Sequence, residues 1–195
     1  MLIFLYGPDT FRSREQLKKM IAKFSVDRDP QGLNVVRLDC EKERPERLWQ
    51  EINASPFLAE KRMVILEQLL VSKQTEVHVE LLRQIEEDRL PKTTILLLFE
   101  EGEPKNKEAN VLFERLKKEK YTQSFPLLSP KQLAVWLKQT IEEKDTTISQ
   151  EAVEYLVNAV GNDTWRLNSL LDQLVAYAGQ KRPIEKSDVQ LFLDD

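Results

Sequence analysis

The sequence predicts an α/β fold: a doubly wound, mostly parallel sheet covered by helices, followed by a small all-helical domain. Three observations predict it. Short, unbroken apolar runs such as "LIFLY", "RMVILEQL" and "TTILLLFEE" suit strands buried on both faces of a parallel sheet. Segments with apolar residues at helical spacing separate those runs, and alternation of this kind argues for β-α crossover units. After "PLLSPK" the strand pattern stops and only helical stripes follow. The domain boundary therefore falls between Leu127 and Ser129, giving a domain over residues 1–127 and a second over 128–195.

Element by element, "LIFLY" is ended by the turn formers Gly7, Pro8 and Asp9. A helix from about Thr10 to Phe24 follows, with Leu17, Met20, Ile21 and Phe24 as one stripe. "DRDPQGL" is a loop and "LNVVRLD" a second strand. Pro45 starts a helix whose apolar side is Leu48, Trp49 and Ile52. Met63, Val64, Ile65 and Leu66 form a third strand, "EVHVELLRQIEEDRL" a helix stopped by Pro91, and "TTILLLFEE" a fourth strand. A helix over "KEANVLFERLKKE" and a short strand in "YTQSFPL" complete the first domain. In the second, Ser129 and Pro130 read as N-cap and first residue of a helix carrying Leu133, Trp136, Leu137 and Ile141. Ser149 caps a helix with Val153, Leu156, Val157 and Val160, and Gly161 suits its C′ position. Leu167, Leu170, Leu171, Leu174 and Tyr177 line a third helix ended by Gly179, and a last short helix begins near Lys186.

Bulk properties exclude several function classes. Of 195 residues, 41% are apolar and 32% charged, and the net charge is −4 with both signs interspersed. That is a globular balance without the basic domain that autonomous DNA binding needs. The single cysteine, Cys40, and single histidine, His78, allow neither an internal disulfide nor a Cys/His zinc site, which fits a reducing cytoplasm. No metal or cofactor is expected. The opening "MLIFLYG" is too short for a signal peptide or a membrane span.

The strand, turn and helix of "LYGPDTFRSRE" occupy the place of a phosphate-binding loop. A working loop needs G-x-x-x-x-G-K-[ST]. Here the loop is shorter, no second glycine follows Gly7, and no Lys-Ser or Lys-Thr pair opens the helix. Arg12 and Arg14 remain as candidate phosphate or DNA contacts, helped by the helix N-terminus. The plainer reading is a tight turn with a solvated basic helix start. Asp39 and the pair Glu100–Glu101 follow strands and read as solvent-facing caps rather than a catalytic pair. His78 reads as a surface-helix residue. Trp49 and Trp136 lie on apolar stripes and read as core, while Trp165, beside Arg166, is less easily explained by packing. In "NASPFLAEKR" the pair Phe57–Leu58 lies on a loop just before the third strand. Either it tucks under the sheet edge as a satellite core or it serves as an interface.

Taken in order, "FLYGPDTFRSRE", "SPFLAEKRMVIL", "LLSPKQLAVWLKQTIEEKDTTIS" and "EAVEYLVNAVGNDTWRLNSLLDQLVAYAG" resemble the delta subunit of the bacterial DNA polymerase III clamp loader. The resemblance covers nearly the whole chain. It implies a degenerate AAA+ module: a RecA-like α/β domain, then a three-helix lid. It implies no ATP hydrolysis or other catalysis by this chain, though the chain would form part of the polymerase III holoenzyme. It implies a role in DNA replication: holding the ring-shaped sliding clamp (the beta subunit) and opening one of its interfaces. Other clamp-loader subunits, and DNA within the assembled complex, are the further partners implied. Phe57 and Leu58, with Pro56 limiting the loop's freedom, match the family's clamp anchors. Ser55, Glu60, Lys61 and Arg62 would form a polar rim. Gly7 marks the degenerate nucleotide site, and Trp165 falls where active relatives carry a sensor arginine. A collar-forming third domain is also implied, whereas this sequence stops at Asp195, where a lid would end. From the residues alone, an active P-loop-like ATPase and a stand-alone nucleic-acid-binding protein remain as alternatives.

Overall fold

The computed structural model describes residues 1–179 and 182–193; the sequence's final Asp195 lies outside them. It divides into two compact units, Met1–Pro126 and Leu127–Asp195.

The first unit is an α/β layer structure. Its strands are β1 (Leu2–Tyr6), β2 (Val35–Asp39), β3 (Arg62–Glu67), β4 (Thr94–Glu100) and β5 (Thr122–Ser124). They form one sheet in the order β2-β3-β4-β1-β5, and every pairing is parallel. Parallel neighbours require crossovers, and the helices supply them: α1 (Thr10–Arg28), α2 (Pro45–Asn53), α3 (Thr75–Glu86) and α4 (Lys107–Leu116). Alternation along each strand divides the core in two. Leu2, Phe4, Val64, Leu66, Leu96 and Leu98 face α2, α3 and α4. Ile3, Leu5, Met63, Ile65, Leu97 and Phe99 face Leu17 and Phe24 of α1. The strands β1, β3 and β4 read as unbroken apolar runs because both faces are covered; β4 is buried at all seven positions.

The second unit holds four helices among the described residues: α5 (Pro130–Glu142), α6 (Gln150–Val160), α7 (Thr164–Ala178) and α8 (Lys186–Leu193). The resemblance implies three helices; the fourth, α8, is the short helix that the residues predict near Lys186. Ser129 caps α5 in a reciprocal capping box with Gln132, and Pro130 occupies the first turn. Ser149 caps α6, and Gly161 ends it with φ +67°, a left-handed conformation that glycine adopts without steric cost. The four helices enclose Leu133, Leu137, Ile141, Val153, Leu156, Leu167, Leu171, Leu174 and Val189. Two further differences from expectation appear here. Ile148 and Ile184 form a parallel bridge where no extended pairing was expected. Tyr177, expected on the buried side of α7, is exposed and meets the Phe192 ring edge-on at 5.5 Å.

Candidate functional site

Because all five strands run parallel, the sheet has a carboxyl end and an amino end. The phosphate-loop position follows β1 and lies at the carboxyl end. The Phe57–Leu58 loop precedes β3 and lies at the amino end. Five to six residues of strand separate them, roughly 17–20 Å along the strand.

At the carboxyl end the turn after β1 is closed by the protein's own main chain. Gly7 N–H donates to the Glu100 carbonyl at 3.1 Å, and Asp9 N–H donates to the Phe125 carbonyl at 3.0 Å. Gly7 has φ +135°, and a Cβ there would lie 2.5 Å from the Phe125 oxygen. The glycine is required by the close approach of the chain beyond β5. Asp9, buried, caps α1: its carboxylate accepts from Arg12 N–H at 3.2 Å and pairs with the Arg12 guanidinium at 3.2 Å. The partial positive charge of the helix start, which would attract a phosphate, thus already faces a carboxylate.

The two candidate arginines are also engaged. Arg12 Nη1 donates to the Pro126 carbonyl at 3.2 Å. Arg14 pairs with Glu101 at 2.7 Å and lies over the Phe99 ring. Rather than a free basic face, they are partly exposed members of a network of ion pairs and hydrogen bonds. The adjoining cleft of about 500 Å³ is lined by Tyr6, Gly7, Glu101, Glu103, Phe113 and Glu114, among others, with no lysine or arginine.

Glu100 corrects another expectation. It is fully buried rather than a solvent-facing cap. Its Oε1 accepts from Leu70 N–H at 3.0 Å, while Oε2 has no partner among the described residues. Burial pushes its pKa up to about 8, against the opposing pull of the Leu70 and Leu69 N–H groups. His78 is buried too, its Nε2 2.8 Å from the Leu69 carbonyl. Both groups line the inside of the loop after β3. Trp49 is half-buried against the α/β core and Trp136 against the helical core. Trp165 belongs to the helical unit, where it is half exposed at the start of α7.

At the amino end the arrangement is opposite. Phe57 is 60% exposed and Leu58 83%, which removes the satellite-core reading. Their backbone is nevertheless held. The buried Asn34, just ahead of β2, accepts from Phe57 N–H through Oδ1 at 2.7 Å. Its Nδ2 donates to the Phe57 carbonyl at 2.9 Å. Asn34 is in turn fixed by Asp29 at the end of α1, whose carboxylate accepts from Asn34 N–H at 2.7 Å and from Asn34 Nδ2 at 3.0 Å. Burial pulls the Asp29 pKa upward, but the hydrogen bonds from Asn34 and Leu33 outweigh it and leave the carboxyl below its ordinary value. Leu58 has φ +50°, a conformation costly for a branched side chain.

Of the expected rim, Ser55 and Glu60 are exposed. Lys61 and Arg62 are instead engaged by other parts of the fold. Lys61 Nζ donates to the Lys92 carbonyl at 2.7 Å, and Arg62 pairs with the buried Glu51 of α2, which also meets Arg47 at 2.8 Å. Those pairs tie both ends of the loop to the sheet. Pro56 is partly buried.

Residues 4–122 match the family model described as "DNA polymerase III, delta subunit". The chain belongs to that family. It is similar to DNA polymerase III subunit delta of Bacillus subtilis, 23% identical over 197 aligned residues, covering 97% of this chain and 55% of the relative. It thus spans about half the length of that relative. Among solved structures it is similar to the Bacillus subtilis DNA clamp loader delta protein, with TM-score 0.61 and 20% identity over 98% of this chain and 57% of the other. The Thermotoga maritima RuvB Holliday junction branch migration motor has TM-score 0.59 and 12% identity over 98% and 60%. Domain III of the Thermotoga maritima replication initiation protein DnaA has TM-score 0.55 and 12% identity over 100% and 83%. At these identities the structural likenesses establish the fold: α/β, RecA/AAA+-like, with a helical unit following. Among the described residues, no helix is long and apolar enough to cross a membrane, and no group of three or more His, Cys, Asp or Glu is placed to hold a metal.

Proposed function

We propose that this delta-family chain binds the ring-shaped sliding clamp through Phe57 and Leu58, favours its open form, and does not itself hydrolyse ATP. The observation carrying this reading is the exposure of two large apolar side chains on a loop whose main chain is fixed. Burying one such side chain in a pocket yields roughly 1.5–3 kcal/mol. Two give about 3–6 kcal/mol before association costs, enough to anchor a micromolar contact together with a polar rim. Ser55 and Glu60 supply that rim, and Pro56 limits the loop's freedom. Clamp opening is then a population shift driven by tighter binding to the sprung interface, and it needs no catalytic residue.

The absence of ATP hydrolysis is supported by the capped, self-closed turn at Gly7 and Asp9 and by the carboxylate-lined cleft beside it. Arg12 and Arg14, engaged within the fold, add little to a phosphate contact. Any DNA contact within the assembled loader would fall to other basic groups. The helical unit from residue 128 serves as the lid, with Trp165 in the place of the sensor arginine of active relatives. The other clamp-loader subunits are the remaining partners, and replication places the protein in the cytoplasm. A pull-down with the cognate clamp tests the reading: the parent chain is retained, and the Phe57→Ala plus Leu58→Ala variant, still folded, is not. Equal retention of both would refute the site. A magnesium-ATP titration should show no tight binding; tight magnesium-dependent binding would return the ATPase alternative.

A further inference from the structure

The Asn34 side chain makes the same two hydrogen bonds to Phe57 that a neighbouring strand's main chain would make. An asparagine side chain can do this because its amide carries an acceptor and a donor on one short, planar group. The orientation of that amide is fixed by its surroundings. Oδ1 faces the Phe57 N–H at 2.7 Å, while the two hydrogens of Nδ2 go to the Phe57 carbonyl at 2.9 Å and to Asp29 Oδ1 at 3.0 Å. The reversed amide would set a donor against the Phe57 N–H. The Asn34 main chain is committed as well: its N–H donates to Asp29 Oδ2 at 2.7 Å, and its carbonyl accepts from Met63 N–H at 2.8 Å. One buried residue therefore links the end of α1, the start of β3 and the exposed tip. Directly after the clamped residue comes Leu58, with φ +50°. A large apolar side chain on an exposed loop would relax away from this conformation unless its neighbours held it.

We propose that Asn34, braced by Asp29, is a positioning residue for the clamp contact: it holds Phe57 and Leu58 in their binding conformation before the clamp arrives. This rests on the reading of Phe57 and Leu58 as the clamp anchors. When a binding-competent conformation is only partly populated, apparent affinity falls by that fraction. An Asn34→Ala chain whose tip is competent about one-tenth of the time binds about tenfold more weakly. The anchors themselves are untouched in that variant.

The test measures clamp affinity, amide hydrogen exchange and the denaturation midpoint for the parent, for Asn34→Ala, and for Phe57→Ala plus Leu58→Ala. In the parent, the Phe57 amide should exchange at least about tenfold more slowly than an unprotected loop amide, although its side chain is exposed. In Asn34→Ala that protection should vanish while the core strand amides keep theirs, and clamp affinity should fall about tenfold. A merely structural role would instead speed exchange across the core and lower the denaturation midpoint in proportion. The proposal is overturned if Asn34→Ala binds the clamp like the parent. It is equally overturned if the Phe57 amide of the parent exchanges at the unprotected rate, a measurement that needs no variant to fold. Parent-like binding by the Phe57→Ala plus Leu58→Ala chain would refute the anchor reading, whatever Asn34→Ala does.

Discussion

The two ends of the sheet solve the same problem in opposite ways. At the carboxyl end, the turn after β1 directs its polar groups inward: Asp9 caps α1, Arg12 and Arg14 meet carboxylates, and Gly7 packs against Phe125. At the amino end, the loop before β3 satisfies its main chain through Asn34 and leaves its apolar side chains in water. In open α/β sheets the carboxyl end is the usual place for a ligand. Here that end lacks the lysine and second glycine of a working phosphate loop, while the opposite end exposes Phe57 and Leu58. On the proposed reading, the working surface thus lies at the amino end of the sheet rather than at its carboxyl end.

Substitutions at each end sharpen or break this contrast. Gly7→Ala should have the largest effect on stability, about 3 kcal/mol or more, because the new methyl meets the Phe125 main chain and the backbone angle disfavours it; denaturant unfolding measures this. Phe57→Ala plus Leu58→Ala should leave stability within about 0.5 kcal/mol of the parent. The same pair should weaken clamp binding by about 3 kcal/mol, roughly 150-fold by calorimetry.

Glu100→Gln probes the carboxyl end through pH. The folded pKa of about 8 lies above the 4.5 of a free glutamate. The folded state therefore holds its proton longer, and this contribution to stability is full below about pH 4.5 and is lost progressively up to about pH 8. Glu100→Gln should flatten the decline, so the variant gains on the parent as pH rises from 5 to 8, by a kcal/mol or more. A stability difference independent of pH would count against a neutral Glu100. The smallest effect is expected for Leu58→Gly: relief at φ +50° should raise stability by about 0.5–1 kcal/mol while clamp binding weakens. If both rise together, Leu58 is not an anchor.

What the sequence revealed follows the range of the interactions. Strands flanked by helices on both faces announce themselves as unbroken apolar runs, and Ser129–Pro130 and Ser149 mark helix starts through contacts three residues away. The exposed pair was legible as an apolar anomaly on a loop. Asn34 was not, because its partner Phe57 is 23 residues distant and an asparagine before a strand looks like an ordinary turn residue. His78 and Glu100 are hidden for a related reason. A polar residue at the border of an apolar stripe gives no local sign that the loop after β3 folds over it. Arg62 likewise passes for a surface charge until Glu51, on α2, is seen beneath it.

The contrast between the two ends is tested most directly by amide hydrogen exchange on the chain with and without its clamp. Binding should slow exchange around residues 55–60 and in the adjoining Leu33–Asn34 segment, and leave the turn at residues 7–14 unchanged. Protection concentrated at residues 7–14, with the Phe57–Leu58 loop unaffected, would contradict the assignment of the working surface to the amino end of the sheet.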